Sequence, residues 1–413
     1  MYIPSVNIEY QKSDDLHYLI TPNARAVLGK MIERFQAGVH SFQIIGSYGT
    51  GKSSFLLALQ NELQKDNSDL IQNKRVFNDF EKFEFCNIVG DYNSMANVLG
   101  NKLSLATYGS DNVLSVLDDY YKQTQKEGKF LFVFVDEFGK ILEHAAGSPE
   151  EELYFIQKLT EYVNAPQRNM MLVTVLHQSF SAYAQKLSEL QRNEWNKVKG
   201  RFHDIVFYEP VEQLLYLASV QLDSKNKKLS KSLKEVCNLA AETKFVTTDL
   251  SEEVMNSLSP LDPFSATVLT LAFQRYGQNE RSLFSFLSAK GKGSIEEFKD
   301  KREGYYSLTE AHDYIAYTFY STLTGVNADS AGWRMLKVAL ERVESGTNGI
   351  TDIESSEKVV KTIGLFNIFA NGDANLRKES LDRYCELALG IECPSDVIKK
   401  LENAKIIRFA GYK

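Results

Sequence analysis

The sequence predicts an α/β fold in which a parallel sheet, covered by helices on both faces, is followed by an almost wholly helical second half. Three observations predict it. Up to about residue 208 short apolar runs alternate with segments of helical period, the order that builds a parallel sheet with crossover helices. Beyond residue 208 only helical patterns remain, which places a domain boundary there. The run FLFVFVDE (130–137) is continuous rather than alternating, as a strand buried on both faces reads.

The strands are expected at 42–46, 83–89, 130–136, 170–176 and 204–208, with helices near 23–37, 52–65, 93–105, 111–126, 150–163 and 181–197 between them. Further helices are expected near 211–222, 231–242, 263–275, 280–288 and 307–323. The domains so implied are a core over 1–210 and helical regions over 211–305 and 306–413.

With 413 residues, 43% of them apolar, the chain can bury a sizeable core and divides into two or three domains. Its net charge of -7 argues against a wholly basic nucleic-acid coat and leaves room for a local basic patch. Cys86, Cys237, Cys385 and Cys393 lack the spacing of a zinc site or a disulfide framework. No 18-residue apolar run and no signal-like start is present, so a soluble cytoplasmic protein without membrane contact is expected.

GSYGTGKSS (46–54) follows the first strand and enters the helical run SSFLLALQNEL. Gly46, Ser47, Tyr48, Gly49, Thr50 and Gly51 form a loop whose freedom lets backbone N–H groups turn inward around a triphosphate, aided by the start of the next helix. Lys52 is placed to reach the β- and γ-phosphates, Ser53 to put its hydroxyl on Mg²⁺, and Ser54 to follow in the first helical turn. The competing reading is a glycine turn before a helix. FLFVFVDE supplies the second half of such a site: Asp136, at the C-terminal edge of a central strand, can hold a Mg²⁺-bound water. Glu137 is placed as general base for the attacking water, against the plainer reading of a strand ending in an acidic turn.

In this order the motifs resemble AAA+ ATPases, and the resemblance spans roughly residues 15–290. It implies an ATPase with ATP and Mg²⁺ as cofactors, a helical lid over 211–305 and assembly into a homo-oligomer. NMMLVTVLHQ is similar to the strand carrying the family's sensor 1 polar residue; His177 is the residue chosen, with Thr174 and Gln178 as alternatives and a structural histidine as the plain reading. In VKGRFHDIVFYEP (198–210), Arg201 corresponds to an arginine finger offered to a neighbouring subunit, with Arg192 as the fallback; an arginine closing its own helix is the alternative. RYGQNERSLFSFL (275–287) resembles the sensor 2 stretch, which assigns Arg281 to the bound phosphates. HYLITPNARAVLGKMIERF (17–35) resembles the segment near adenine in initiator-like members, with Tyr18, Ile20 and Pro22 as contacts. VDEFGK, GRFHDI and GQNERSLF look like large prokaryotic ATPases of anti-phage defence, which work with partner effector proteins.

Two function classes follow: an ATPase working on DNA, of initiator or defence type, and a signalling switch that recruits an effector without DNA. The lysine-rich stretch 223–235 does not choose between them. At the C-terminus, helices at 357–370 and 376–389, a third opened by Pro394, and an alternating stretch at 406–413 give the order of a winged-helix domain lacking its second wing strand. The chain is therefore expected to be a piece of a longer polypeptide or to have its sheet completed by a partner; a helical bundle with a short tail is the other reading. Lys399, Lys400 and Lys405 are the expected contacts to duplex DNA.

Overall fold

Strands β1 (Ser41–Ile45), β2 (Lys82–Val89), β3 (Lys129–Asp136), β4 (Met170–Leu176) and β5 (His203–Val206) form one sheet in the order β2-β3-β4-β1-β5. All four pairings are parallel, which is the expected α/β class. The computed structural model describes residues 6–10, 18–71, 73–104, 109–185, 187–221, 231–246, 251–277, 283–289, 291–301, 304–325, 327–346 and 349–409. The chain divides into two compact units, one over residues 3–209 and one over 210–413.

In the first unit successive side chains of β3 feed opposite faces, as the two-residue period of a strand requires. Phe130, Phe132 and Phe134 enter a core with α1 (Pro22–Gln36) and α2 (Lys52–Gln64). Leu131, Val133 and Val135 enter another with α3 (Met95–Lys102), α4 (Ser110–Lys126), α5 (Phe138–Ala145), α6 (Pro149–Val163) and α7 (Glu189–Lys199). Helix α1 buries Ala24, Val27, Leu28, Met31 and Phe35, a spacing of three and four that puts one face on the sheet. Phe77, Phe83 and Phe85 join the β3 phenylalanines in tilted, T-shaped and stacked contacts between 5.1 and 6.4 Å, within the range in which aromatic pairs add to plain burial.

Two departures from the expected elements have local causes. The single helix at 181–197 is a 3-10 turn, Phe180–Ala184, followed by α7, because Ser188 and Gln191 form a capping box that starts a new helix. Helix α5 follows the acidic end of β3 with only Glu137 between, where the sequence pattern showed no helix.

The second unit is helical: α8 (Val211–Gln221), α9 (Lys231–Glu242), α10 (Glu252–Ser257), α11 (Pro263–Tyr276), α12 (Leu283–Ser288), α13 (Ile295–Lys301), α14 (Leu308–Thr318), α15 (Tyr320–Thr324), α16 (Ser330–Glu344), α17 (Ile353–Phe369), α18 (Lys378–Leu387) and α19 (Pro394–Asn403). Its one core cluster takes Leu215, Val236, Leu269 and Phe286 together with Ile315, Leu336, Leu365 and Ile398, so helices on both sides of residue 305 share it. The wing strand is corrected in its described part: residues 406–409 form no strand, and 410–413 lie outside the described residues. Lys405, at φ 55°, ends α19 while Ile406 N–H donates to Leu401 O (3.0 Å) and Lys405 N–H to Glu402 O (2.9 Å), a left-handed helix cap. Ile406, Ile407 and Phe409 then lie against the helical core. Their apolar character serves packing rather than pairing.

Asp262 is fully buried at the start of α11, where it accepts from Ser265 N–H (2.8 Å) and from the Tyr384 hydroxyl (2.7 Å). Tyr384 in turn accepts from Leu308 N–H (3.0 Å), tying α11, α14 and α18 at one point. Burial raises the Asp262 carboxyl to about 7, against the bonds from Ser265, Tyr384 and Phe264 that lower it. A carboxyl whose folded pKa is raised carries no penalty at pH below its unfolded value, and the penalty grows until pH exceeds the folded value. Stability of this unit is therefore expected to fall between about pH 4 and pH 7, by up to about 4 kcal/mol at roughly 1.36 kcal/mol per unit. Urea unfolding at pH 5 and pH 8 checks it, with Asp262→Asn flattening the difference.

Candidate functional site

The site begins where β1 ends. Gly46 N–H donates to Leu176 O (3.1 Å) and Phe207 N–H to Ile45 O (2.7 Å), so the loop leaves the sheet between β4 and β5. A Cβ on Gly46 would stand 2.2 Å from the Phe207 carbonyl oxygen, a contact only glycine permits. Gly49 and Gly51 have φ of 71° and 91°, conformations that glycine reaches without strain. Thr50 steadies the turn by donating its hydroxyl to Ser47 O (2.9 Å). Helix α2 starts at Lys52 with no side-chain cap on its N-terminus, leaving N–H groups of its first turn, which includes Ser53 and Ser54, without an internal partner.

Lys52 is 4% exposed and donates to Gly46 O (2.6 Å) and Ser47 O (2.7 Å). Burial brings its ammonium down to about 8, with the charges of Asp136 and Glu137 pulling the other way. Asp136, buried at the end of β3, accepts the Ser53 hydroxyl and Glu137 N–H (3.0 Å). Burial foremost raises its carboxyl, with Glu137 adding to the rise and Ser53 and Lys52 opposing it.

Glu137 adopts φ 53°, a left-handed conformation that costs a non-glycine residue free energy and re-aims its side chain. Its backbone is held there: Gly90 N–H donates to Asp136 O (2.8 Å), and a Cβ on Gly90 would stand 2.6 Å from Glu137 O. Its carboxylate faces His177 Nε2 at 3.2 Å and Lys140 Nζ at 3.8 Å. Burial raises the Glu137 carboxyl, yet the His177 contact and the charges of His177, Lys140 and Lys52 outweigh it and leave it below the usual value. His177 also approaches Lys52 Nζ through Nδ1 (3.4 Å) and stacks on Tyr48, with ring centroids 3.3 Å apart and planes at 17°. Burial lowers the imidazole's pKa and raises the Tyr48 phenol to about 12.

The structure thus brings Gly46–Ser53, Asp136, Glu137 and His177 together. Of the alternatives to His177, Thr174 donates to Phe42 O (3.1 Å) inside the sheet, and Gln178 is exposed and bonded to Tyr183. Arg201 follows α7 and pairs with Glu161 Oε1 on α6 (2.8 Å), while Arg192 is exposed on α7. Arg281 lies outside the described residues. Tyr18 and Ile20 lean on the core beneath α1, and Pro22 is that helix's first residue. Next to them Glu209 accepts from the Thr21 hydroxyl (2.6 Å) and Asn23 Nδ2 (3.2 Å). Sequence reasoning missed Lys140, Tyr183, Gly90 and Glu209. Lys140 stands three residues after Glu137, a signal usable only once α5 is known to be a helix.

No family model and no curated protein matches the chain. Among solved structures it is similar to the Aeropyrum pernix ORC2 protein in ADPNP-ADP complexes, at 11% identity over 95% of this chain and 89% of that one, with a TM-score of 0.38. A DNA replication initiation factor shares 14% identity over 97% and 99%, with a TM-score of 0.35. Drosophila ORC bound to DNA shares 12% over 93% and 95%, with a TM-score of 0.29. Likeness this loose assigns no function, and the chemistry has to come from the site.

The Gly46 contact sets a direct expectation. Gly46→Ala forces apart two backbones that share the sheet edge, and overpacking of this kind costs about 1–3 kcal/mol. A thermal melt should show the first unit destabilised, whereas Gly38→Ala, with open space around it but φ of 89°, should lose the backbone term alone, about 1–2 kcal/mol.

Proposed function

We propose that the first unit binds ATP with Mg²⁺ and hydrolyses it, and that the chain is an ATPase of AAA+ type. The observation that carries this is the convergence of Lys52, Ser53, Asp136, Glu137 and His177 at the C-terminal ends of β1, β3 and β4. The residues fit the ligand: a buried lysine bonded to two loop carbonyls and one imidazole nitrogen, an uncapped helix start, and glycines at positive φ in the loop. Ser53 and Asp136 would hold Mg²⁺, which takes few protein oxygens and fills its shell with phosphate and water. When bound, the ion offsets charge on the phosphates.

The chain's own residues supply the rest. Lys52 would bind the phosphates, the loop N–H groups would orient them, and Glu137 would take a proton from the attacking water at a carboxylate oxygen. The finer reading is an oligomeric motor or switch on duplex DNA. Arg201 would serve a neighbouring copy by leaving its part-exposed pair with Glu161, an exchange of low cost. Lys399, Lys400 and Lys405 are exposed on and just after α19, which supports duplex contact there. A place in anti-phage defence, and an effector partner, remain proposals from the sequence resemblance alone.

Two measurements test the site. Glu137→Gln should keep nucleotide binding and lose about 10²- to 10⁴-fold in turnover, while Lys52→Ala should lose binding itself. Normal turnover in Glu137→Gln would remove Glu137 as the base.

The second is a pH titration of ADP affinity by calorimetry. Phosphates favour the charged lysine, so affinity should stay level below the Lys52 value of about 8 and fall above it, approaching about tenfold per pH unit. Lys52→Arg, whose guanidinium stays charged across this range, should show no such fall.

A further inference from the structure

We propose that Ser41 and Gln43 form a buried binding site for ordered water on the sheet face covered by α3 to α7, with Arg201 at its outer end. The site is independent of the nucleotide reading. Phe42 and Ile44 of β1 enter the core with α1 and α2, while Ile45 packs against the other cluster. The two-residue period of a strand therefore turns Ser41 and Gln43 to that second face as well. Both residues are 0% exposed. Ser41 Oγ and both ends of the Gln43 amide, Nε2 and Oε1, are buried without a hydrogen bond to the protein.

Nearly every buried polar atom in a folded protein has a partner, and one left bare is costly. The chemistry of these three atoms says what the partner is. An amide donates at one end and accepts at the other, so its ligand has to do both. Thr174, opposite Gln43 on β4, donates its hydroxyl to Phe42 O (3.1 Å) and keeps lone pairs for a further donor. Asp204, opposite Gln43 on β5, is exposed, so its charge stays in bulk solvent. The buried lining of Ser41, Gln43 and Thr174 is therefore neutral, with nothing to answer an ion. Water fits it, and where buried it ordinarily makes about three bonds. Arg201 continues the row outward: its Nε is buried without a protein partner, although its Nη2 pairs with Glu161 (2.8 Å). Its carbonyl accepts from Asn164 Nδ2 (3.2 Å), and Asn164 Oδ1 accepts from the N–H of His40 (2.9 Å), the residue before Ser41. Arg201 thus stands where β1 begins, and its part-exposed side chain gives water a way in. The strand that leads into the glycine loop is backed at its centre by exchangeable solvent.

A crystal structure of the full chain that resolves ordered solvent tests this. Water density is expected within about 2.7–3.2 Å of Ser41 Oγ and of at least one end of the Gln43 amide. A dry contact at both, or a direct bond from Gln43 to Thr174 in place of water, overturns the site. Urea unfolding gives an independent reading. Gln43→Met keeps the length of the side chain and removes its polar atoms, and Ser41→Ala removes the hydroxyl. If water bonds both residues, each change strands the remaining partner and should lower the urea midpoint by about 0.3–1 M. The double variant should lose less than the sum of the two, since both act on one bonded group. If the atoms are bare, removing them relieves a penalty instead. An unchanged or raised midpoint in Gln43→Met therefore overturns the proposal.

Discussion

The first unit is organised around one buried positive charge. An ammonium at 4% exposure would cost several kcal/mol if left without partners, and here it is answered by two loop carbonyls, one imidazole nitrogen and two nearby carboxylates. Those partners come from four places in the sequence: the loop after β1, the end of β3, the residue following it, and the end of β4. They can meet only if β4 lies between β1 and β3, as the strand order provides. The sheet order is thus what lets a lysine be buried at this spot and stay charged near neutral pH.

What keeps the order rigid lies beneath. The phenylalanines of β3, with Phe77, Phe83 and Phe85, fill the face toward α1 and α2 with rings that touch in series. Aromatic side chains bring large buried area with few rotatable bonds, so the strand carrying Asp136 has little room to slide. A one-residue slip would also exchange its two faces, placing phenylalanines where Leu131, Val133 and Val135 now meet α5, α6 and α7. The register Val89↔Asp136 between β2 and β3 fixes the acidic end next to Gly90, and Gly90 in turn fixes the strained backbone of Glu137.

The sequence made all five strands legible: β3 and β4, buried along nearly their whole length, write themselves as almost unbroken apolar runs, while β1, β2 and β5 carry apolar residues among polar ones. The glycine loop at 46–51 and the pair Asp136 and Glu137, which the structure brings together, were legible as motifs because each is contiguous. Helix α5 was not: its first residue follows a left-handed Glu137 instead of a serine, threonine, aspartate or asparagine cap, so nothing local announces a start. The partners of His177 were invisible for a different reason. Lys52 and Glu137 stand far from it in the chain, and only the sheet order brings them within 3.4 and 3.2 Å. The tail at 406–409 misled because alternation is shared by strands and by extended segments that wrap a helical core, and Lys405 chose the second by ending α19 in a left-handed cap.

The strain at Glu137 completes the physical picture. A glutamate held in the left-handed region is expected only where surroundings over-determine it, and here Gly90 below and α5 behind do so. The backbone is therefore fixed while the carboxylate is held only by an oblique contact to His177 and a long one to Lys140. A rigid pivot with a loosely held tip lets a side chain change partners without cost to the fold. The buried lysine differs: three close acceptors hold it, and its release requires a stronger acceptor than any present. Multiply charged phosphate oxygens meet that requirement, since they add the attraction of opposite charges to the hydrogen bond. The buried cation is thus the tightly held member of the cluster and the Glu137 carboxylate the loosely held one.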